Sequence, residues 1–295
     1  MNTAEARIGS LPCWRGNVDI EPLSGGITNA NFLVEDNHRR YVVRLGDDIP
    51  VHQIMRFNEL AASQAAHAAG LSPAVRYHEP GVLVLDFIEG QVLDAAAVAD
   101  PARLPRIVEL VRRAHREIPR HLRGPSLMFW VFQVLRDYAH TLDADRSPWR
   151  EQLPELLARA EQLEAAVGPV EIVFGHNDLL PANLIDDGER LWLIDWDYAG
   201  FNSPLFDLGG LAANNGLDGA AERGMLAAYF QAEPDAGLWR RYQAMKCASA
   251  LRETLWSMVS EIHSTLDFDY RRYTQDNLTV FERSFTAFCA LEDAP

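Results

Sequence analysis

The hydrophobic pattern of this chain changes once, near Gly90, from short runs typical of strands to longer runs with a helical period. Before that point, residues 31–35 and 40–45 look like two strands joined by a turn-prone Asp-Asn pair, which predicts a hairpin. Residues 81–88 form a further, very apolar strand-like run, and the Ala-rich residues 54–69 predict a helix. The first ninety residues are therefore expected to be rich in strands.

After residue 100 the pattern is mainly helical, apart from one short strand pair within residues 183–193. With 295 residues, the chain exceeds the usual size of a single hydrophobic core. We therefore expect an α+β fold with two lobes, a small β-rich N-terminal lobe (residues 1–88) and a larger, mainly helical C-terminal lobe (residues 89–295). The segments with a helical period are residues 104–118, 128–142, 151–167, 220–230, 238–262 and 270–288.

Composition narrows the class of protein. The 27 basic and 42 acidic residues give a net charge of −15, which argues against a nucleic-acid partner because phosphate neutralisation needs clustered Lys and Arg. No apolar run of about 18 residues is present, so we expect no membrane insertion. The first 16 residues lack the apolar stretch of a signal peptide. Cys13, Cys247 and Cys289 show no C-x-x-C spacing and are expected to be reduced thiols in the cytoplasm.

Residues 174–197 carry the chemistry-bearing side chains. A turn signal at residues 186–188 predicts a hairpin that places Asn183 beside Asp195 at its open end, with Asp178 just upstream on a loop. Two carboxylates and a carboxamide supply oxygen ligands suited to Mg²⁺, together with a proton acceptor. Phosphoryl transfer needs these parts, so we assign Asp178 as the base and Asn183 and Asp195 as the metal ligands.

The same residues resemble a known family. His176-Asn177-Asp178, followed by Asn183, resembles the catalytic loop of protein kinases, and Asp195 stands where their D-F-G aspartate does. The string at residues 194–209 resembles choline/ethanolamine kinases, within the aminoglycoside phosphotransferase and protein-kinase-like superfamily. The similarity covers nearly the whole chain and implies a protein-kinase-like fold that uses ATP and Mg²⁺. In this loop His176 is expected to be an anchor.

The resemblance also implies a nucleotide site. Arg44 stands where protein kinases carry lysine, and a guanidinium can hold two phosphate oxygens at once. Glu59 would be its ion-pair partner, although it could also be a solvated residue on a helix face. Asp207 would brace the catalytic loop from below. The other implied positions, in a phosphate-covering loop and in a hinge whose backbone meets adenine, are Gly25, Gly26, Thr28, Asn29, Asp86 and Ile88.

The predicted helix at residues 238–262 suggests the acceptor. One stripe is expected to face the core (Leu251, Leu255, Met258, Ile262) and a second to lie on the far side (Ser249, Glu253, Trp256, Ser260). The second stripe puts an acid beside an indole, which suits an ammonium group.

The family comparison implies an aromatic cage in which Trp256 and Tyr273 match two positions. Glu253 stands where eukaryotic members carry a further tryptophan, which favours ethanolamine or a related amino alcohol over choline. We expect an ATP-dependent kinase of a small cationic alcohol. The alternatives are the same fold acting on an aminoglycoside, thiamine or a sugar, and a catalytically silent nucleotide-binding protein. The sequence leaves open which protein partners, if any, the chain binds.

Overall fold

The N-terminal part of the computed structural model, which describes residues 3–23 and 29–292, is built on an antiparallel sheet. Its strands lie in the order β1-β2-β3-β5-β4. The strand-rich character predicted for this region is confirmed. Its elements are α1 (Thr3–Gly9), β1 (Asp19–Leu23), β2 (Ala30–Asp36), β3 (Arg39–Leu45), α2 (Arg56–Ala68), β4 (Val75–Glu79) and β5 (Val82–Asp86).

The β2–β3 hairpin turns at Asn37 and His38, because the register pairs Asp36 with Arg39. Both turn residues have positive φ, 49° and 63°, as expected for a two-residue turn whose twist matches that of the strands. The turn therefore lies one residue later than the Asp-Asn pair suggested.

Successive side chains of β3 point to opposite faces of the sheet, one facing the hydrophobic core and the other facing α2. Val43 is fully buried under the sheet in an apolar cluster with Phe32, Val34 and Val84. Arg44 lies on the opposite face and reaches Glu59 of α2. The sheet thus presents a buried arginine to the helix that packs behind it.

The rest of the chain is mainly helical, and the six helical segments predicted from the sequence are observed with ends shifted by a few residues. Among the residues that the structure describes, no helix is long and apolar enough to cross a membrane. The elements are β6 (Gln91–Val92), α3 (Ala95–Ala99), α4 (Leu104–His121), α5 (Val131–Ala144), α6 (Leu153–Val167), β7 (Val173–Gly175), β8 (Leu184–Asp186), β9 (Leu191–Leu193), β10 (Gly200–Asn202), α7 (Pro204–Asn215), α8 (Gly219–Phe230), α9 (Ala236–His263) and α10 (Tyr270–Glu292).

Helix α7 was not among the predicted helices. It begins after Ser203, whose hydroxyl accepts a hydrogen bond from the Leu205 N–H, with Pro204 in the first turn. A Cβ on Gly209 would lie 2.8 Å from the Cα of Lys246 on α9, so only glycine permits this close approach. Gly209, one of the two adjacent glycines that weaken the helical signal in the sequence, therefore lets α7 pack closely on α9.

Helix α9 departs from the two-stripe prediction. It packs against α5, α6, α7 and α10, so it is covered on several sides. Trp256 and Ser260, predicted to lie on the far side, are 6% and 1% exposed, whereas Ile262, predicted to face the core, is 39% exposed. The far-side prediction is wrong because α10 and the neighbouring helices bury that face as well.

Candidate active site

The β8–β9 hairpin brings two of the predicted site residues together. Its register pairs Leu184 with Leu193, and the N–H of Ile194 donates to the carbonyl of Asn183 at 3.0 Å. Asn183 and Asp195 therefore lie next to each other at the open end of the hairpin, as the position of the turn predicted.

Asp178 lies on the loop between β7 and the short 3-10 turn at Pro181–Asn183. Its backbone carbonyl accepts from Asn183 Nδ2 at 2.9 Å, which fixes the orientation of that carboxamide. Burial raises the pKa of the Asp178 carboxyl to about 8. The positive charge of Arg252 opposes this rise, and the negative charge of Glu253 adds to it. A carboxyl that titrates near neutral pH is suited to accept a proton from an alcohol.

His176 anchors this loop. Its Nε2 lies 2.8 Å from the carbonyl of Ile194 and its Nδ1 accepts from the N–H of Asp178 at 3.3 Å. Its ring packs 4.7 Å from that of Trp196, and burial lowers its pKa. These contacts require a neutral ring with its proton on Nε2, in agreement with the predicted anchoring role.

Asp207 holds the same loop from α7. Its carboxylate accepts hydrogen bonds from the N–H groups of His176 (2.8 Å) and Asn177 (2.6 Å) and lies 2.8 Å from Nε2 of the buried His115. Burial alone would raise the pKa of Asp207, but the histidine and the backbone donors lower it below its ordinary value. Ionised Asp207 thus stabilises the fold above the ordinary carboxyl pKa, and this contribution is lost as the pH falls through the lowered pKa.

Replacing Asp207 with asparagine is expected to lower the free energy of unfolding near neutral pH by about 1.5 to 3 kcal/mol, because a charge-assisted hydrogen bond to the loop is lost. The measurement is urea denaturation at several pH values, with the difference from wild type shrinking in acid. Asp19→Asn, on the exposed face of the edge strand β1, is the matched control. Equal stability of wild type and Asp207→Asn would contradict the bracing role.

Arg44 is the centre of a buried ionic network. Its Nη1 lies 2.7 Å from Glu59 Oε1, 2.8 Å from Asp195 Oδ1 and 2.9 Å from Asp197 Oδ1. Burial would lower the pKa of Arg44, but the three carboxylates raise it well above its ordinary value. The structure thus brings Arg44, Glu59 and Asp195 together, and Glu59 is a buried partner and not a solvated residue on the helix face.

Two further residues of this network, Arg56 and Asp197, were not predicted from the sequence. Arg56 Nη1 donates to Glu59 Oε2 (2.7 Å) and to Asp197 Oδ1 (2.9 Å). The predicted residue Asn29 joins the same network, because its Nδ2 donates to Asp197 Oδ2 (2.8 Å). Arg56 precedes Glu59 by three residues on α2, a spacing that places both on one helix face. That spacing, together with the second acid after Asp195, is the signal that could have identified them.

The donor set at the hairpin's open end fits Mg²⁺. Among the described residues, no cluster of three or more His, Cys, Asp or Glu could hold a metal alone. Asn183 and Asp195 offer an amide oxygen and a carboxylate, and Mg²⁺ typically takes only one or two protein carboxylates, completing its shell with phosphates and water. Asp195 has a φ of 68°, and such left-handed backbone outside glycine occurs often at functional sites.

The other residues predicted to bind the nucleotide stay predictions. Gly25, Gly26 and Thr28 lie outside the described residues. At the predicted hinge, the N–H of Asp86 donates to the carbonyl of Ala74 at 3.0 Å, so of its two backbone groups only the carbonyl is left as a candidate for adenine. Ile88 follows β5 and is partly buried.

A cavity of about 200 Å³ lies beside Asp178, a size suited to a small acceptor. It is bounded by the catalytic loop and by α7, α9 and α10. The polar side chains that line it include Asp178, Asn214, Ser249, Arg252, Glu253 and Asn277.

The predicted acceptor residues lie close together, but only Glu253 lines this cavity. Tyr273 Oη donates to Glu253 Oε1 at 2.7 Å, and the ring of Tyr273 lies 6.4 Å from that of Trp256. Trp256 is buried, and its Nε1 donates to Tyr198 Oη at 2.8 Å. Sequence reasoning missed Arg252, which falls between the two stripes assigned to α9.

The fold and this arrangement of side chains are those of a phosphotransferase. The profile described as "Phosphotransferase enzyme family" matches residues 19–245, and the chain belongs to that family. The predicted α+β protein-kinase-like fold is confirmed, and the protein is a small-molecule kinase.

Named relatives agree with this class. The chain is 27% identical over 292 residues to ethanolamine kinase 2 of Homo sapiens, covering 89% of this chain and 75% of that kinase. A choline/ethanolamine kinase family protein from Mesorhizobium loti superposes with a TM-score of 0.78 at 28% identity, covering 100% of this chain and 96% of that one. A structure of LicA in complex with AMP shares the fold, with a TM-score of 0.75 at 22% identity over 95% of this chain and 97% of that one.

Proposed function

We propose that the protein transfers the γ-phosphate of ATP to the hydroxyl of a small amino alcohol of the ethanolamine or choline type, with Mg²⁺ as the metal. The observation that carries this proposal is the convergence of Asp178, Asn183 and Asp195 around the β8–β9 hairpin, beside a cavity of acceptor size. Relatives named ethanolamine kinase and choline/ethanolamine kinase support the acceptor class.

Each residue has a role in this reaction. Bound Mg²⁺ would supply charge neutralisation on the β- and γ-phosphates, and Asn183 and Asp195 would hold it. Asp178 orients the acceptor hydroxyl and takes its proton. Arg44 leaves its contact with Asp195 to hold phosphate oxygens, while Glu59 keeps the guanidinium in place.

The remaining nucleotide contacts are part of the same proposal. Gly25, Gly26, Thr28 and Asn29 would cover the phosphates, and the Asp86 carbonyl and Ile88 backbone would meet the adenine edge.

We also propose a lobe boundary at residue 88. One observation on packing bears on it: the buried alanines of α2 share a hydrophobic cluster with α4, so α2 contacts the second lobe directly.

On the acceptor side, we propose that Glu253, Trp256 and Tyr273 surround the amine. Ethanolamine fits better than choline. The three methyl groups of choline would need a third aromatic ring to enclose them, and Glu253 contributes a carboxylate in that place instead.

A cytoplasmic location is proposed as well, and the three free cysteines, Cys13, Cys247 and Cys289, are consistent with a reducing compartment.

The test is a coupled ATP-consumption assay with Mg²⁺ against ethanolamine, choline, thiamine and an aminoglycoside panel, with Asp195→Ala as the blank. Turnover with ethanolamine or choline alone is expected. Turnover with thiamine or an aminoglycoside alone would keep the kinase and refute the acceptor class. Bound ATP with no turnover of any acceptor would favour a catalytically silent protein.

A further inference from the structure

Helix α7 carries two adjacent glycines, and packing explains only one of them. Gly209 is needed because a Cβ there would meet the backbone of Lys246 on α9. A Cβ on Gly210 would lie 3.5 Å from Ser249 Oγ, an ordinary contact, and within residues 3–23 and 29–292 no other atom outside α7 lies within 4 Å of it. A glycine inside a helix costs about 0.5 to 1 kcal/mol relative to alanine. The missing side chain of Gly210 therefore needs a reason other than packing.

Gly210 lies in the wall of the cavity of about 200 Å³ that also contains Asp178. Ser249 of α9 lines the same cavity, and its hydroxyl oxygen is the nearest atom to the empty Cβ position of Gly210. Ser249 is partly exposed, and the part of the chain that the structure describes offers its hydroxyl no hydrogen-bond partner. The absent side chain of Gly210 thus leaves open space beside a hydroxyl that can donate or accept a hydrogen bond.

A second neutral polar side chain lies at the level of Ser249. Helices α9 and α10 are joined by the short segment 264–269, so they run antiparallel, and Tyr273 of α10 donates to Glu253 of α9 at 2.7 Å. Ser249 and Asn277 each lie about one helical turn beyond that contact, on the side away from the connecting segment, and both line the cavity. The cavity therefore has a charged part at Glu253 and a neutral polar end at Ser249 and Asn277.

The cavity has more room than ethanolamine fills. A volume of about 200 Å³ holds roughly six or seven groups of the size of a water molecule, at about 30 Å³ each. Ethanolamine has four non-hydrogen atoms, which would reach from a hydroxyl beside Asp178 to an ammonium beside Glu253. The space that remains is large enough for about three further atoms.

We propose that the acceptor is an amino alcohol whose nitrogen carries a second arm ending in a neutral hydrogen-bonding group such as a hydroxyl. Ser249 binds that group, and Gly210 leaves the space for the arm. The inference rests on the proposed function and narrows its substrate class. The amine stays beside Glu253, and the hydroxyl that receives the phosphate stays beside Asp178, so the end of the arm does not react.

The first test compares acceptors that differ only at the end of the arm, using the wild-type protein with Mg²⁺ and ATP. Diethanolamine carries a hydroxyl where 2-(propylamino)ethanol carries a methyl group, and the two have equal numbers of non-hydrogen atoms. We expect kcat/KM to be about 3- to 10-fold higher for diethanolamine, after division by two for its two equivalent hydroxyls, as one hydrogen bond implies. Ethanolamine, which lacks the arm, should also have a lower kcat/KM than diethanolamine.

The second test fills the space beside Ser249. Gly210→Ala adds a methyl group at an ordinary contact distance of 3.5 Å, so the fold should be kept. The ratio of kcat/KM for diethanolamine to that for ethanolamine is expected to fall about tenfold, mainly through KM, because the methyl group and the arm need the same space. Gly224→Ala, at an exposed position of α8 where an added Cβ meets none of the described atoms within 4 Å, is the matched control and should keep the wild-type ratio.

The third test removes the hydroxyl from the wall of the cavity. Ser249→Ala is expected to reduce the preference for diethanolamine over 2-(propylamino)ethanol to the twofold that its two equivalent hydroxyls give. Thermal melting checks that this variant and Gly210→Ala are folded.

Four results would overturn the inference. If ethanolamine or 2-(propylamino)ethanol were used at least as well as diethanolamine, the polar arm would be refuted while the proposed kinase stayed intact. An unchanged ratio in folded Gly210→Ala would refute the role of the glycine. An unchanged preference in folded Ser249→Ala would refute the role of the hydroxyl. Bound ATP without turnover of any acceptor would overturn the proposed function and this inference together.

Discussion

Replacing Asp178 with asparagine is expected to lower kcat by about 10² to 10⁴, because the amide has nearly the same shape but cannot take the acceptor's proton. The affinity for ATP should stay close to that of wild type, since among the described residues no hydrogen bond or ion pair joins Asp178 to the side chains around Arg44. The kcat value is measured with saturating ATP and the best acceptor, and ATP affinity is measured separately by titration.

Asp19→Asn removes a carboxylate from the exposed edge strand and serves as the control for this change. It should leave both kcat and ATP affinity unchanged. If Asp178→Asn turned over as fast as this control, Asp178 would not be the base.

Replacing Arg44 with methionine is expected to lower the free energy of unfolding by about 3 to 5 kcal/mol, because it leaves buried carboxylates without their shared cation. Glu59, Asp195 and Asp197 would then lose the cation that they share, although Arg56 would still contact Glu59 and Asp197. ATP binding should also be lost. Urea denaturation and nucleotide titration measure the two effects.

Two comparisons make this prediction specific. Arg39→Met, on the same strand but exposed, should change the free energy of unfolding by less than about 0.5 kcal/mol. Arg44→Lys should recover part of the stability but less of the ATP affinity, since an ammonium lacks the planar set of donors. Wild-type stability in Arg44→Met would show that the network is not needed for folding.

The sequence predicted those parts of the site that depend on local spacing. A turn at residues 186–188 fixes the register of a short hairpin, and the register alone puts Asn183 next to Asp195. The alternation in β3 likewise places Arg44 opposite the buried Val43. The alternation of side chains along a strand and the position of a turn depend on a few neighbouring residues, so they can be predicted without the tertiary structure.

What the sequence did not predict depends on how distant elements pack. Helix α9 carries apolar and polar residues on all sides, and the pattern alone could not show that α10 covers the face with Trp256. Arg252 was overlooked for the same reason, because its importance comes from burial and from the loop that carries Asp178. Arg56 and Asp197 act through the charges that folding brings beside Arg44.

The most direct measurement of phosphoryl transfer is ³¹P NMR of the wild-type protein with MgATP and an excess of ethanolamine or choline. A kinase that uses Asp178 as base is predicted to give ADP and a new phosphomonoester resonance in equal amounts, with both formed about 10²- to 10⁴-fold more slowly by Asp178→Asn at the same protein concentration. ADP accompanied only by inorganic phosphate, or unchanged ATP with both acceptors, would contradict phosphorylation of an amino alcohol by this site.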